Sequence, residues 1–410
     1  MRVALLTLGC RVNQAESAVI EGTLKENGVI IVDLKDNPDI CIVNTCTVTS
    51  KSDYNSRQLV RRAARAGSKV IVTGCYSQLR PHDVRAIPGV AEVVENRKKY
   101  EIAKMLTGKS TDLSFSLSSR SRPHLKVQDG CNFRCSYCSV PQARGSSLSV
   151  VPEEVIQRAQ AIESKGYREI VLTGIHLGTY GQDLRVKSTL NILLTKLLVA
   201  THFVRFRLSS LEIGEISDEI LEIMQSQRIC NHLHVPLQSG STEILRLMSR
   251  RYSADHYKRR VLLFSEKIDN LSLGTDVIVG FPGEGDEEFY HTRNLIRDIP
   301  FSYLHIFPYS PRPGTRAASM RATSSREAVA GRLAVLRDLA AVKRDAYMRR
   351  QLNRRLAVIL EDSRGENLRC GTSGNYLKIL VSVHGHGKGT LVYVRPTELV
   401  DGMLRGSTIS

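Results

Sequence analysis

Long apolar runs are missing from this chain. Nothing in it approaches the roughly 18 to 20 consecutive apolar residues of a spanning helix. The N-terminal VALLTL (3–8) is too short for a signal peptide and has no small-residue cleavage site. A cytoplasmic location is therefore expected, with no membrane partner. No internal repeat is evident. Acidic residues are in short supply: 41 Asp and Glu stand against 58 Lys and Arg, a net charge of +17. That balance points to nucleic acid, an anionic surface or acidic substrates. With 42% apolar and 24% charged residues the composition is globular, which excludes a disordered or fibrous chain. At about 150 residues per domain, the length suggests two or three domains.

Residues 1 to 96 alternate short apolar strands (2–9, 39–45, 69–74, 91–95) with helical segments (14–27, 51–66). This pattern predicts a parallel sheet covered on both faces, in doubly wound form. Residues 97–122 turn basic and serine-rich, as a linker does. From 123 the alternation restarts and yields six strand–helix units by residue 309. A full or partial βα barrel is the natural closure, with site residues at the strand C-ends. Ser324 and Glu327 have capping-box spacing and open a long helix reaching about residue 350. Between Arg316 and Arg355 stand eleven Lys or Arg and three Asp or Glu. This is either a solvated face or a polyanion-binding one. The last segment, with LAVILED, YLKILVSV and GTLVYVRP broken by Gly-rich turns, reads as a small all-β barrel of a kind often used for nucleic acids.

In a reducing cytoplasm, grouped cysteines point to metal or catalysis rather than disulfides. Cys131, Cys135 and Cys138 lie within eight residues, just past a predicted strand. Three thiolates there suit zinc or an iron–sulfur cluster. A zinc site would need a further ligand, such as His124, whereas a four-iron cluster would keep one iron open for a small molecule. Cys10, Cys46 and Cys75 are distant in sequence, yet each falls at or just past the C-end of a predicted strand. Parallel neighbours would bring them together. Cys41 lies mid-strand, while Cys230 and Cys370 are isolated, and all three read as structural. The histidines of HGHG (384–387) read as part of a hairpin loop.

The stretch CNFRCSYC (131–138) resembles the CxxxCxΦC pattern of radical S-adenosylmethionine (SAM) enzymes, with Tyr137 as the aromatic residue. GCRVN (9–13), VNTCTVT (43–49), TGCY (73–76), LTGIHLGTYGQDL (172–184), RLSSLE (207–212), HVPLQSGS (234–241), GTDVIVGFPGE (274–284) and YSPRPGTRA (309–317) are similar to the methylthiotransferase subfamily. The resemblance spans essentially the whole chain. It implies two four-iron clusters, one on Cys10, Cys46 and Cys75 and one on Cys131, Cys135 and Cys138. It implies SAM bound near Tyr137, Gly174, His176, Ser209, Ser210, Glu212, Gln238 and Pro282. It divides the chain into 1–108, a linker 109–122, a radical SAM domain 123–344 and a TRAM RNA-binding barrel 345–410. GCRVN and TCTVT resemble the branch that acts on N6-threonylcarbamoyladenosine at tRNA position 37. Branches acting on isopentenyladenosine tRNA or on a ribosomal-protein aspartate are the alternatives, and an iron–sulfur or zinc RNA-binding protein is the non-enzymatic one. The implied partners are the tRNA anticodon stem-loop and a reductant such as flavodoxin or ferredoxin.

Two positions depart from the subfamily. Leu148 stands where a basic residue is usual, and Ile213 where proline is. The first leaves a basic contact in doubt, and the second is expected to alter only a turn.

Overall fold

The computed structural model describes residues 1–109 and 120–409. The serine-rich linker at 109–122 lies mostly outside the described residues. Before it, a helix at Glu101–Thr107 still belongs to the first domain and buries Ile102 and Ala103.

Strands β1 (Arg2–Thr7), β2 (Ile30–Ile31), β3 (Ile40–Thr45), β4 (Lys69–Gly74) and β5 (Val90–Val93) form one sheet in the order β2-β1-β3-β4-β5. All four pairings are parallel. One face packs Ile20 and Leu24 of helix Arg11–Glu26 together with Ile102, and the other packs Val60 and Ala63 of helix Ser50–Arg65. The sheet is doubly wound as expected. Its order reverses at β1/β3, the place where such sheets bind ligands beyond their strand C-ends.

The central domain starts with β6 (His124–Lys126) and a two-residue hairpin of β7 (Gln128–Asp129) with β8 (Leu148–Ser149). The single strand expected over 124–130 is thus broken at Val127. Then follow β9 (Glu169–Thr173), β10 (Arg205–Leu208), β11 (His232–His234), β12 (Ser272–Val279) and β13 (Tyr303–Pro308). They form two parallel three-stranded sheets, β10-β9-β6 and β11-β12-β13, joined by the bridge Phe206↔Ile229. The barrel is therefore partial: six parallel strands with β6 and β13 as free edges. Helix Arg11–Glu26 of the first domain packs against β6.

Alternation along each strand sorts the barrel's two surfaces. Ile170, Leu172, Phe206, Leu208 and Leu233 join the core under the outer helices. Glu169, Arg205, Arg207, His232, His234, Asp276, Tyr303 and His305 contact one another on the opposite side, so the lumen is polar and aromatic.

The long helix Arg326–Arg349 is capped by Ser325, whose side chain accepts from Ala328 N, and not by Ser324. Ser324 instead donates to Glu284 O at 2.7 Å. Leu333 and Leu336 are buried on its apolar side. The helix runs through residues 344 and 345 without a break and leads into the last domain. One of its cations is internal: Arg332 pairs with Glu284 and Asp286 at 2.8 Å each. Most of the others are exposed.

Strands β14 (Leu356–Gly365), β15 (Leu368–Ser373), β16 (Lys378–Ser382), β17 (Leu391–Val400) and β18 (Met403–Ile409) close a five-stranded barrel in the order β14-β15-β16-β18-β17. The HGHG segment is not a hairpin loop, because β16 and β17, which it joins, are not partners. This barrel is tied to the central one. Arg207 donates to the carbonyls of Ser373 and Gly374, Arg205 donates to that of Ala357, and Arg122 pairs with Glu361 at 2.8 Å.

Candidate functional site: two cysteine triplets at strand ends

Three consecutive strand ends assemble the first triplet. Register pairs Thr7 with Asn44 and Thr45 with Gly74, so the residues that follow, toward Cys10, Cys46 and Cys75, leave the sheet side by side. Two glycines permit the approach. Gly9 has φ +97°, and a Cβ there would stand 2.7 Å from Cys46 Cβ and 2.8 Å from its Sγ. Gly74 has φ +101°, and its Cβ would stand 2.4 Å from Thr45 O. Neither place admits a side chain. Asn13 ties the ends together by donating to Leu8 O at 2.8 Å and Thr45 O at 2.9 Å. Burial pushes the Cys75 thiol up to about 11, with Arg144 and Lys99 opposing, and it raises Cys46 as well. Gly9→Ala should therefore push the Cys46 thiol aside. Iron bound by the reconstituted protein should drop by about half if each triplet holds four irons, while Gly67→Ala, at an open positive-φ position, should leave it intact.

The second triplet sits on the loop between β7 and β8. Ser136 pins that loop: its N and Oγ donate to Met248 O and Leu247 O, and its O accepts from Ala317 N at 2.7 Å. Beneath it lie Ile244, Met248, Phe281 and Ala317, with Tyr137 edge-on to Phe281. Cys131 Sγ stands 3.3 Å from His176 Nδ1, and Arg250 Nη1 donates to Cys135 Sγ at 3.5 Å. Arg250 also pairs with Glu212, and His176 with Glu215. Burial opposes the His176 imidazolium, yet bonding to Cys131 and Glu215 pushes it up to about 10. Burial pushes Cys138 up to about 12. Such thiols shed their protons when a metal takes the sulfur.

Of the other sequence-derived site residues, His176 meets this loop at Cys131 and Glu212 reaches it through Arg250. Gly174 abuts Gln128, and the Gln128 Oε1 accepts from His176 N at 2.7 Å. Ser209 is buried and its hydroxyl has no hydrogen-bond partner among the described residues; the same holds for Thr173, one strand over. Orphaned hydroxyls at barrel strand ends suit a polar ligand such as SAM. Ser210 instead bonds His234 Nδ1 at 2.6 Å. Gln238 is held at φ 64° with its backbone paired to Asp276 and Ile278, and Pro282 follows the buried Phe281. A cleft of about 270 Å³ beside Cys135 is lined by Phe133, Glu212, Glu215, Arg250 and Tyr252.

His124 does not approach either triplet. Burial, then Arg11, Arg120 and Arg122, hold it neutral at about 3. Among the described residues, the only three-donor group with atoms within 4.8 Å of one another is His234, Asp276 and His305. Thiolates on one zinc, each about 2.3 Å from the metal, would stand closer than that. Ligands of a cubane bind separate irons and need not, so both triplets fit clusters better than single ions. Leu148 is 69% exposed, on the two-residue strand β8. Ile213 does more than shape a turn, because it is buried in the main core.

Sequence reasoning passed over Arg144, Arg250 and Glu215. Arg144 follows the second triplet and reaches the first domain, where it donates to Glu16 at 2.9 Å as well as to Asn13 and Asp129. Only its place shortly after the second triplet could have drawn attention to it. Arg250 and Glu215 carry no local pattern.

Residues 125–296 match the Radical SAM superfamily, and residues 2–95 match the Uncharacterized protein family UPF0004. The threonylcarbamoyladenosine tRNA methylthiotransferase MtaB of Bacillus subtilis (strain 168) is 38% identical over 404 residues, 92% of this chain and 90% of that one. Its namesake in Aquifex aeolicus (strain VF5) is 37% identical over 89% of this chain and 94% of its own. The chain belongs to the radical SAM methylthiotransferases. A tRNA-2-methylthio-N(6)-dimethylallyladenosine synthase of Aliarcobacter butzleri (strain RM4018) is 27% identical over the full length of this chain and 99% of its own. In fold, this methylthiotransferase is similar to the radical SAM methyltransferase TsrM of Kitasatospora setae, with a TM-score of 0.58, 14% identity and 77% of each chain covered. Methylthiotransferases of this family use SAM and four-iron clusters. No helix among the described residues is long and apolar enough to cross a membrane.

Proposed function

We propose that this chain places a methylthio group on C2 of N6-threonylcarbamoyladenosine at tRNA position 37. Two thiol triplets, each at strand C-ends of its own α/β unit and joined through Arg144, carry this reading. Cys131, Cys135 and Cys138 would hold the SAM-binding cluster, and Cys10, Cys46 and Cys75 the cluster at which the sulfur is held. Together with SAM these groups supply methyl transfer to sulfur and a carbon radical that takes hydrogen from C2. The protein's part is placement. Ser209 and Thr173 offer SAM hydrogen bonds, Arg250 fixes Glu212 and screens Cys135, and the pinned loop at Ser136 keeps the second triplet over the lumen.

The exposed arginines of helix Arg326–Arg349 and the closed β barrel support an RNA partner, because phosphate contacts dominate such affinity. An unpaired anticodon-loop base can be presented to a pocket. A reductant of the flavodoxin or ferredoxin class would deliver the electron. The lumen's His232, His234, Asp276 and Arg207 favour the polar threonylcarbamoyl over the apolar isopentenyl group, since unmatched buried polar groups are costly.

Reconstituted protein should convert tRNA bearing threonylcarbamoyladenosine to its 2-methylthio form and leave isopentenyladenosine tRNA unchanged, as read by nucleoside mass spectrometry. Equal turnover of both would refute the substrate assignment.

A further inference from the structure

One cation beside the first triplet has no counter-charge. Arg11 directly follows Cys10, and among the described residues it forms no ion pair with a carboxylate. Its Nη2 donates to Tyr376 OH at 3.0 Å, and its Cζ lies 5.4 Å from that ring. Tyr376 comes from the last domain and is held at φ 64°, a strained conformation for an aromatic residue. Its ring enters the lumen of the central barrel, 4.5 Å from His232, 5.7 Å from Tyr303 and 5.2 Å from Arg207 Cζ.

Around Arg11 the guanidiniums outnumber the carboxylates, and the lumen's Asp276 is taken up by His234 and His305. Arg122, Arg205 and Arg207 share the buried Glu169, with Glu361 assisting Arg122 alone. Burial together with these guanidiniums and Arg11 keeps His232 and His124 neutral. His232 Nδ1 is buried without a partner among the described residues, while its Nε2 bonds Tyr303 OH at 2.8 Å. The lumen wall nearest Cys10 thus offers an unpaired guanidinium, aromatic faces and an unpartnered imidazole nitrogen. This is a receptor for a small group that is anionic at one end and polar along its length.

On the substrate reading above, the threonylcarbamoyl substituent is such a group, with a hydroxyl and a terminal carboxylate. We propose that Arg11, oriented by Tyr376, receives the threonyl carboxylate, and that the substituent enters the lumen while its adenine faces the two triplets. A neutral isopentenyl group would leave Arg11 and His232 unmatched. The same residue would then both admit the acidic modification and discourage the apolar one.

The test is binding by fluorescence anisotropy, with iron-loaded full-length protein and anticodon stem-loops carrying threonylcarbamoyladenosine, its methyl ester or isopentenyladenosine. The ester removes the charge and adds one methyl group, and it separates the modification's carboxylate from tRNA phosphates and from SAM. Wild type should prefer acid over ester by about tenfold or more, as a charge-assisted pair implies. Arg11→Gln should bring that ratio close to one while ester affinity stays within about twofold. Arg11→Lys, which keeps charge without the fork, should fall between. If Arg11→Gln loses iron, Tyr376→Phe carries the test, because it removes only the phenol oxygen that orients Arg11, and the ratio should drop several-fold. An unchanged ratio in Arg11→Gln, or equal losses on acid and ester, would overturn the proposal. Wild type that prefers both the acid and the ester to the isopentenyl loop, yet binds acid and ester alike, would overturn it and leave the substrate reading standing. Wild type that does not prefer the acid to the isopentenyl loop would overturn both.

Discussion

Glu16→Gln should destabilise the protein by about 3 to 5 kcal/mol, the range for stripping a buried ion pair of one member. Glu16 is 1% exposed and meets Lys99 at 2.5 Å, Arg144 at 2.9 Å and Lys126 at 3.0 Å. Its three cations come from two domains, so the carboxylate is the electrostatic centre of their contact. Burial alone would raise the carboxyl, but Lys99, Arg144 and Lys126 overcome it and hold Glu16 well below the usual range. Its folded value therefore lies below its unfolded one, about 4.3. The stabilisation is fully present above that unfolded value and is lost as pH falls through the folded one. The gap between wild type and Glu16→Gln should thus be the same at pH 7 and pH 5.5 and shrink only in stronger acid. In the variant Arg144 loses its buried counter-charge and cannot shed its proton at either pH. The residual cost falls on Arg144, in the segment that follows the second triplet. Denaturant unfolding at both pH values checks this against Glu21→Gln, which removes a more exposed helical pair with Lys25 and should cost under about 1 kcal/mol. Equal effects of the two substitutions would contradict the assignment.

What the sequence disclosed depended on how local each feature is. Cys10, Cys46 and Cys75 could be brought together because strand ends of a parallel sheet share an edge, and the apolar runs before them are short and clear. The six barrel strands were readable for the same reason. The terminal barrel was harder. Leu368–Ser373 and Met403–Ile409 escaped notice because Gly371 and Gly406 interrupt their alternation. Both glycines are demanded by close strand approach, with a Cβ falling 2.4 Å from Val358 Cγ1 and 2.2 Å from Arg395 O respectively. Helix capping was legible to within one residue: Ser324 and Ser325 both offer a hydroxyl, and only the tertiary contact of Ser324 with Glu284 assigns the cap to Ser325. Arg250, Glu215 and the Glu16 cluster were not legible. Their partners lie tens to more than a hundred residues away, and a lone charged residue in sequence carries no mark of burial.

The second large effect divides the cysteines. Cys131→Ala, Cys135→Ala or Cys138→Ala should abolish reductive cleavage of SAM, because the open iron that binds it would be lost. Cys10→Ala, Cys46→Ala or Cys75→Ala should retain SAM cleavage and about four irons, yet make no methylthio product. All six should fold. Each thiol lies at a strand end or on a loop rather than within a strand, although cluster binding adds stability. Cys41→Ala and Cys230→Ala, both buried away from the triplets, should keep both activities.

The proposed function requires two separate sulfur-ligated centres with separate tasks. The most direct measurement is made on anaerobically reconstituted Cys46→Ala, with iron content, 5′-deoxyadenosine and 2-methylthio nucleoside read from the same reaction. Half the iron, continued 5′-deoxyadenosine and no 2-methylthio nucleoside are expected. Full iron with full methylthio transfer would contradict that requirement.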